Sequence, residues 1–157
     1  MGNLFTQKNQ YDDDGNLMVN QVTAMESGTF TKSITAANAG AISNIYDGLS
    51  TTGITMLSNN PNTTYYVKWD MGRKMKFKNI YVFGSIDGAS TNYLTLSLKG
   101  SLDNVTWTTI DSGTQNGAAL INYNLLATNV TYRYIKVEAA AQNTNGEINL
   151  YEIKAVL

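Results

Sequence analysis

The most regular polarity pattern in the chain lies in residues 65–80. Tyr65, Val67 and Trp69 alternate with Tyr66, Lys68 and Asp70, a period of two that assigns one set of side chains to a buried face. Asp70-Met71-Gly72 interrupts the run with turn chemistry, because glycine tolerates backbone angles that other residues avoid. Beyond it Met75, Phe77 and Asn79 oppose Lys74, Lys76 and Lys78. The stretch predicts strand, tight turn, strand, with one face packed and the other wet.

The rest of the chain repeats this theme. Leu17-Met18-Val19 with Val22 predicts a first strand, and residues 30–36 a weaker second one. Residues 36–44 are small and polar, which fits a loop or a single helical turn. A short strand is expected at 54–57, a plain loop at 58–62, and a long polar loop at 85–92. Leu94, Leu96 and Leu98 alternate with Tyr93, Thr95 and Ser97 as a strand, and further strands are expected at 107–110, 119–125, 131–139 and 148–156. No segment holds a 3.6-residue period over three turns. Many short strands joined by polar turns in one compact length read as an all-β, antiparallel jelly-roll β-sandwich.

Composition narrows the function classes. At 157 residues the chain is one domain long, and only 15% of it is charged. Asn and Thr, nineteen of each, supply the polar share; threonine favours strands and asparagine favours turns. A formal net charge of −1 leaves no electrostatic footprint for nucleic acid or an anionic membrane. With no Cys and no His, disulfides, Cys/His zinc sites and histidine-dependent nucleophiles are excluded. The first residues lack the apolar core of a secretory signal, and no run approaches a membrane span. Without a signal peptide, a virion or an extracellular surface reached by another route is the favoured location. Residues 1–16 are polar and read as an N-terminal arm, with the sandwich at 17–157. The acids Asp12, Asp13 and Asp14 are consecutive rather than alternating and no twelfth-position Glu follows, so they fit a solvated turn better than an EF-hand loop.

The order of five motifs resembles the discoidin, or coagulation-factor 5/8 type C, family. They are Asn44-Ile45-Tyr46-Asp47-Gly48 with Thr52, Tyr66-Val67-Lys68-Trp69-Asp70-Met71-Gly72, Leu98-Lys99-Gly100-Ser101 with Trp107-Thr108-Thr109-Ile110, Tyr134-Ile135-Lys136-Val137, and Leu150-Tyr151-Glu152-Ile153. The resemblance covers residues 30–157 and implies a galactose-binding-like jelly roll that binds glycans, lipid headgroups or proteins through loops at one end. It also implies a structural Ca²⁺ held by Asp47, Thr52 and Glu152 with backbone carbonyls near Ile45 and Leu49. Leu49 and Ile54 stand where the family usually has Asn and Trp. If no metal is held, Asp47 caps its turn and Glu152 is an ordinary strand carboxylate.

Candidate ligand-binding residues are the loop amides Asn59, Asn60, Asn92 and Asn143, with Tyr93 as a loop platform on which a sugar ring could stack. Turn chemistry alone also accounts for each asparagine. Trp69 falls in the core phase, and the resemblance places Trp107 inside as well. Three Asn-X-Thr sequons, at Asn62, Asn104 and Asn129, match the glycosylation acceptor pattern. No pair of carboxylates stands out for glycoside hydrolysis, so the chain is not expected to be an enzyme. Two readings follow: a binding or adhesion module for a glycan or surface, within a larger assembly of protein subunits, or a virion structural protein such as a capsid decoration or tail component.

Overall fold

The computed structural model describes residues 10–11, 17–18, 29–33, 40–49, 51–58, 64–88, 93–116, 120–142 and 146–156. Among them the strands are β1 (Gln10–Tyr11), β2 (Leu17–Met18), β3 (Thr29–Lys32), β4 (Ile54–Ser58), β5 (Thr64–Gly88), β6 (Tyr93–Ser101), β7 (Thr108–Asn116), β8 (Leu120–Gln142) and β9 (Gly146–Val156). A 3₁₀ turn, Ile42–Ile45, precedes β4 and overlaps the end of the stretch 36–44 expected to be a loop or one helical turn. β1 and β2 pair with each other, and the remaining strands form one antiparallel ladder in the order β4-β9-β5-β8-β6-β7, with β3 added to β5.

Two long strands give the ladder its sandwich shape. β5 and β8 run side by side from Thr64 opposite Ala140 to Asp87 opposite Leu120. Their neighbours change along the way: the start of β5 carries β3, its end carries β9, and the end of β8 carries β6. The result is two antiparallel layers that share the β5–β8 pair. Between them Val67, Trp69, Leu94, Leu96, Leu98, Ile135 and Val137 pack toward Ile54, Met56, Val82, Ile86, Leu125, Ile148 and Leu150, all buried. The strict alternation of Leu94, Leu96 and Leu98 is the sequence signal of one inward face.

The expected hairpin at 65–80 is instead one strand with a bulge. Both halves pair with β8, with Tyr66 opposite Glu138 and Lys76 opposite Thr131, and residues 71–74 bulge opposite Arg133. The turn chemistry is real but local: Gly72 sits at φ 71°, and its N–H donates to Asp70 Oδ1 at 2.8 Å. Across β8, Asn129 at φ 52° marks a second irregularity where the inward phase of β5 changes from Phe77 to Ile80. The strands predicted at 119–125 and 131–139 are therefore two halves of β8, joined through that residue. Residues 85–88 also continue β5 rather than forming a loop, because Ser85 and Ile86 are buried.

An aromatic column anchors the segment before β4. Trp69 stacks on Phe30 at 5.7 Å, and Phe30 stacks on Tyr46 at 5.1 Å. Trp69 is core, as expected, and its Nε1 has no hydrogen-bond partner among the described residues. Trp107 is not core. It is half-buried, meets Tyr134 edge-on at 6.5 Å, and lies 4.4 Å beneath Lys136 Nζ. The residue precedes β7 on the outer face, where a cation covers its ring instead of the core.

Candidate functional site

The segment 45–53 is shaped from both ends. Ile45 is fully buried and Tyr46 rests on Phe30, while Gly53 lies so close to β9 that a Cβ there would come within 2.5 Å of the Leu150 carbonyl. Between these anchors the chain turns at Gly48, φ 82°. Asp47 organises the turn: its Oδ1 accepts the Leu49 N–H at 2.9 Å and its Oδ2 accepts the Thr52 hydroxyl at 2.7 Å. Glu152 arrives from β9, opposite Phe83, and its Oε2 accepts the Gly48 N–H at 3.2 Å. Glu152, distant in the chain, is thus gathered with Asp47 and Thr52 around one loop.

The electrostatics of this cluster are unfavourable for Glu152. Burial pushes its carboxyl up to about 7, with the Asp47 charge adding to the rise, while Lys154 and the Gly48 amide pull the other way. The donor set is made of hard oxygens: two carboxylates, the Thr52 hydroxyl and the Leu49 carbonyl, which lies 3.2 Å from that hydroxyl. Among the described residues no group of three or more acidic, His or Cys side chains comes together. Even so, two carboxylates with neutral oxygens match the chemistry a calcium ion takes, and a cation would remove the penalty on ionised Glu152. The residues present fit that ion.

Of the expected ligand-binding residues the structure describes only the backbone of Tyr93. Asn59, Asn60, Asn92 and Asn143 lie outside the described residues. Tyr93 is the first residue of β6 and pairs with Asn116 of β7 and Gln142 of β8. Gly88 pairs with Gly146, Ser58 with Glu147, and Thr64 with Ala140. The strand ends that lead into residues 59–63, 89–92, 117–119 and 143–145 therefore share one end of the sandwich. Glu152 is six positions along β9 from Gly146, about 20 Å at the rise of a strand.

Two arrangements had no sequence signal of their own. On the outer face of one layer Glu138 takes both Lys99 and Lys136, and Lys136 also lies over Trp107 and Tyr66. Burial would raise the Glu138 carboxyl, but the two ammonium groups hold it below the usual carboxylate range. Nearby, Arg133 grips Asp70 through two contacts of 3.0 and 3.2 Å, which lowers the Asp70 carboxyl. On the other layer a groove of about 360 Å³ is lined by Gly48, Tyr81, Phe83, Asn124, Glu152 and Lys154. Tyr81 and Phe83 read as part of a continuous apolar strand, and only the change of phase near Asn129 turns them outward.

A family profile described as the F5/8 type C domain matches residues 21–153. A comparison with curated proteins by sequence finds no match. Solved structures share the fold at low identity. A family 32 carbohydrate-binding module from Clostridium perfringens superimposes with a TM-score of 0.57 at 18% identity, covering 87% of this chain and 98% of its own. Chitosan-binding module 1 of a chitosanase/glucanase from Paenibacillus sp. IK-5 gives 0.56 at 21% identity, over 84% and 96%. The family 32 module of AlyQ, solved with 4,5-unsaturated mannuronic acid, gives 0.52 at 19% identity, over 90% and 98%.

Proposed function

This chain belongs to the F5/8 type C domain family, and on that premise we propose that it is a non-catalytic module that binds glycans through the loop end of its sandwich. The observation that carries the reading is the strand register. It brings the ends of β4, β5, β7 and β8 and the start of β9 to the end where Tyr93 begins β6, and the sequence following those strand ends contains Asn59, Asn60, Asn92 and Asn143. Amides and a tyrosine in such a place suit a sugar, whose hydroxyls take hydrogen bonds while its C–H face takes an aromatic ring. The neighbours solved with an unsaturated mannuronic acid and named for chitosan binding support the ligand class. Affinity electrophoresis through gels loaded with soluble polysaccharides tests it. Retardation by at least one polysaccharide, lost in the combined Asn92→Ala, Tyr93→Ala, Asn143→Ala variant, is expected. Equal retardation of that variant would reject the loop end.

In this reading Asp47, Thr52 and Glu152 would hold a structural Ca²⁺ with help from backbone carbonyls. The ion would supply charge neutralisation that helps fix the 45–53 segment on β9, about 20 Å along that strand from the loop end. The protein's own residues do the rest: Gly48 and Leu49 amides orient the carboxylates, and Gly53 lets the loop sit against β9. A rise in melting temperature with calcium that disappears in Asp47→Ala supports the site, and an identical melting temperature with and without the ion removes it.

A second reading, a virion or other assembly component, draws on one feature. Among the described residues β1 and β2 pair with each other and not with the sandwich strands, which suits an arm that docks on a neighbouring subunit. Deleting residues 1–16 should abolish assembly while the sandwich stays folded. Normal assembly of the truncated chain would reject this role.

A further inference from the structure

We propose that the groove on the outer face of the β9-β5-β8 layer is a second sugar-binding site, for a neutral pyranoside, separate from the loop end. It rests on the glycan-binding reading only for its ligand class. Tyr81 is 43% exposed, and its cross-strand partner Leu126 is 42% exposed. Phe83 stands two positions along the same strand, so Tyr81 and Phe83 point to the same side. The platform is held in place from the side: Phe83 lies 5.5 Å from the Tyr151 ring, and the Tyr151 hydroxyl shares a hydrogen bond with the buried Ser85 hydroxyl at 2.9 Å. A rigid aromatic shelf of this kind loses little conformational freedom when a ring stacks on it.

Polar groups surround the shelf. The Tyr81 hydroxyl, the Asn124 amide and the Lys154 ammonium have no hydrogen-bond partner among the described residues. Glu152 spends one carboxyl oxygen on the Gly48 amide and lines the groove with its side chain. Donors and acceptors therefore ring an apolar floor, which is what a pyranose with one C–H face and a rim of hydroxyls requires. A groove of about 360 Å³ has room for one or two sugar rings. The lining carries one carboxyl, Glu152, and one ammonium, Lys154, so it has no net charge with which to select an acidic or an amino sugar, and a neutral one fits.

The site is tested by following backbone amide NMR signals while methyl β-galactoside, methyl β-glucoside and methyl α-mannoside are titrated in turn. The expected result is movement of amides in 81–83, 124–126 and 152–154 with at least one glycoside. The movement should persist in the combined Asn92→Ala, Tyr93→Ala, Asn143→Ala variant. Tyr81→Ala should weaken the binding about tenfold, the usual worth of an aromatic stacking contact. Asn124→Ala, a change at an exposed side chain, should weaken it without touching the shelf. If these amides stay still with every glycoside, or move equally in Tyr81→Ala, the second site is overturned. Loss of all movement in the loop-end variant would overturn it while sparing the loop-end reading, and groove movement without any at the loop end would do the reverse. Sedimentation at rising concentration adds one more check: self-association abolished by Tyr81→Ala would assign the groove to a second copy of the chain and overturn the sugar site.

Discussion

Replacing Glu152 by glutamine should change how stability depends on pH, and the size of the change follows from the geometry. Burial beside the Asp47 loop raises the carboxyl from 4.5 to about 7 in the folded chain. Each tenfold change in proton affinity is worth about 1.4 kcal/mol, so the full effect is about 3 kcal/mol. The sign is fixed by which state holds the proton. Below about pH 4.5 both folded and unfolded chains are protonated at this position. Between 4.5 and 7 the unfolded chain releases the proton while the folded chain keeps it, so stability falls as pH rises. Above 7 the loss is complete. Glutamine keeps an oxygen for the Gly48 amide and cannot ionise, so the variant should lack this slope. Urea unfolding of both proteins across that pH range, in buffer with chelator, gives the difference directly. Parallel stability curves would refute the argument. Added calcium should restore the wild type above pH 7 and leave the variant far less affected, because the ion would compensate the ionised pair.

Trp69→Ala should cost about 3–5 kcal/mol in denaturant unfolding, whereas Trp69→Phe should cost much less because it keeps an aromatic ring in the column and the indole Nε1 has no hydrogen-bond partner among the described residues. Gly113→Ala should destabilise by about 1–3 kcal/mol, since a Cβ there would lie 2.0 Å from the Tyr123 ring; a second change, Tyr123→Ala, should relieve that part of the loss. Asp103 is held at about 2 by the Val105 and Thr106 amides and the Ser101 hydroxyl. Its depressed value means that the stability it contributes is present above the ordinary value of 3.8 and is lost as pH falls toward 2. Melting curves of Asp103→Asn should therefore start lower at neutral pH and fall less steeply in acid than those of the wild type.

What the sequence revealed depended on whether the signal was local. Leu94, Leu96 and Leu98 are an uninterrupted alternation and are buried as such. Asp47, Thr52 and Glu152 were placed together by a resemblance, and the structure brings them within one hydrogen-bonded loop. The failures arose where partners decide. Asp70-Met71-Gly72 has the chemistry of a hairpin turn, but β8 pairs with both flanks and converts it into a bulge. Trp107 carries a large apolar surface, yet Lys136 covers its ring outside the core. Tyr81 and Phe83 look like core from their neighbours Ile80 and Val82, and only the phase change opposite Asn129 turns them toward solvent. None of these outcomes is encoded in the residues of one segment alone.

The central claim, that the loop end binds glycans, is tested most directly on a glycan array probed with the calcium-saturated wild type and with the combined Asn92→Ala, Tyr93→Ala, Asn143→Ala variant. Binding to a chemically related set of glycans by the wild type and none to that set by the variant is expected, with both proteins folded. A folded wild type that binds nothing on the array, or a variant with the same glycan profile, would contradict it.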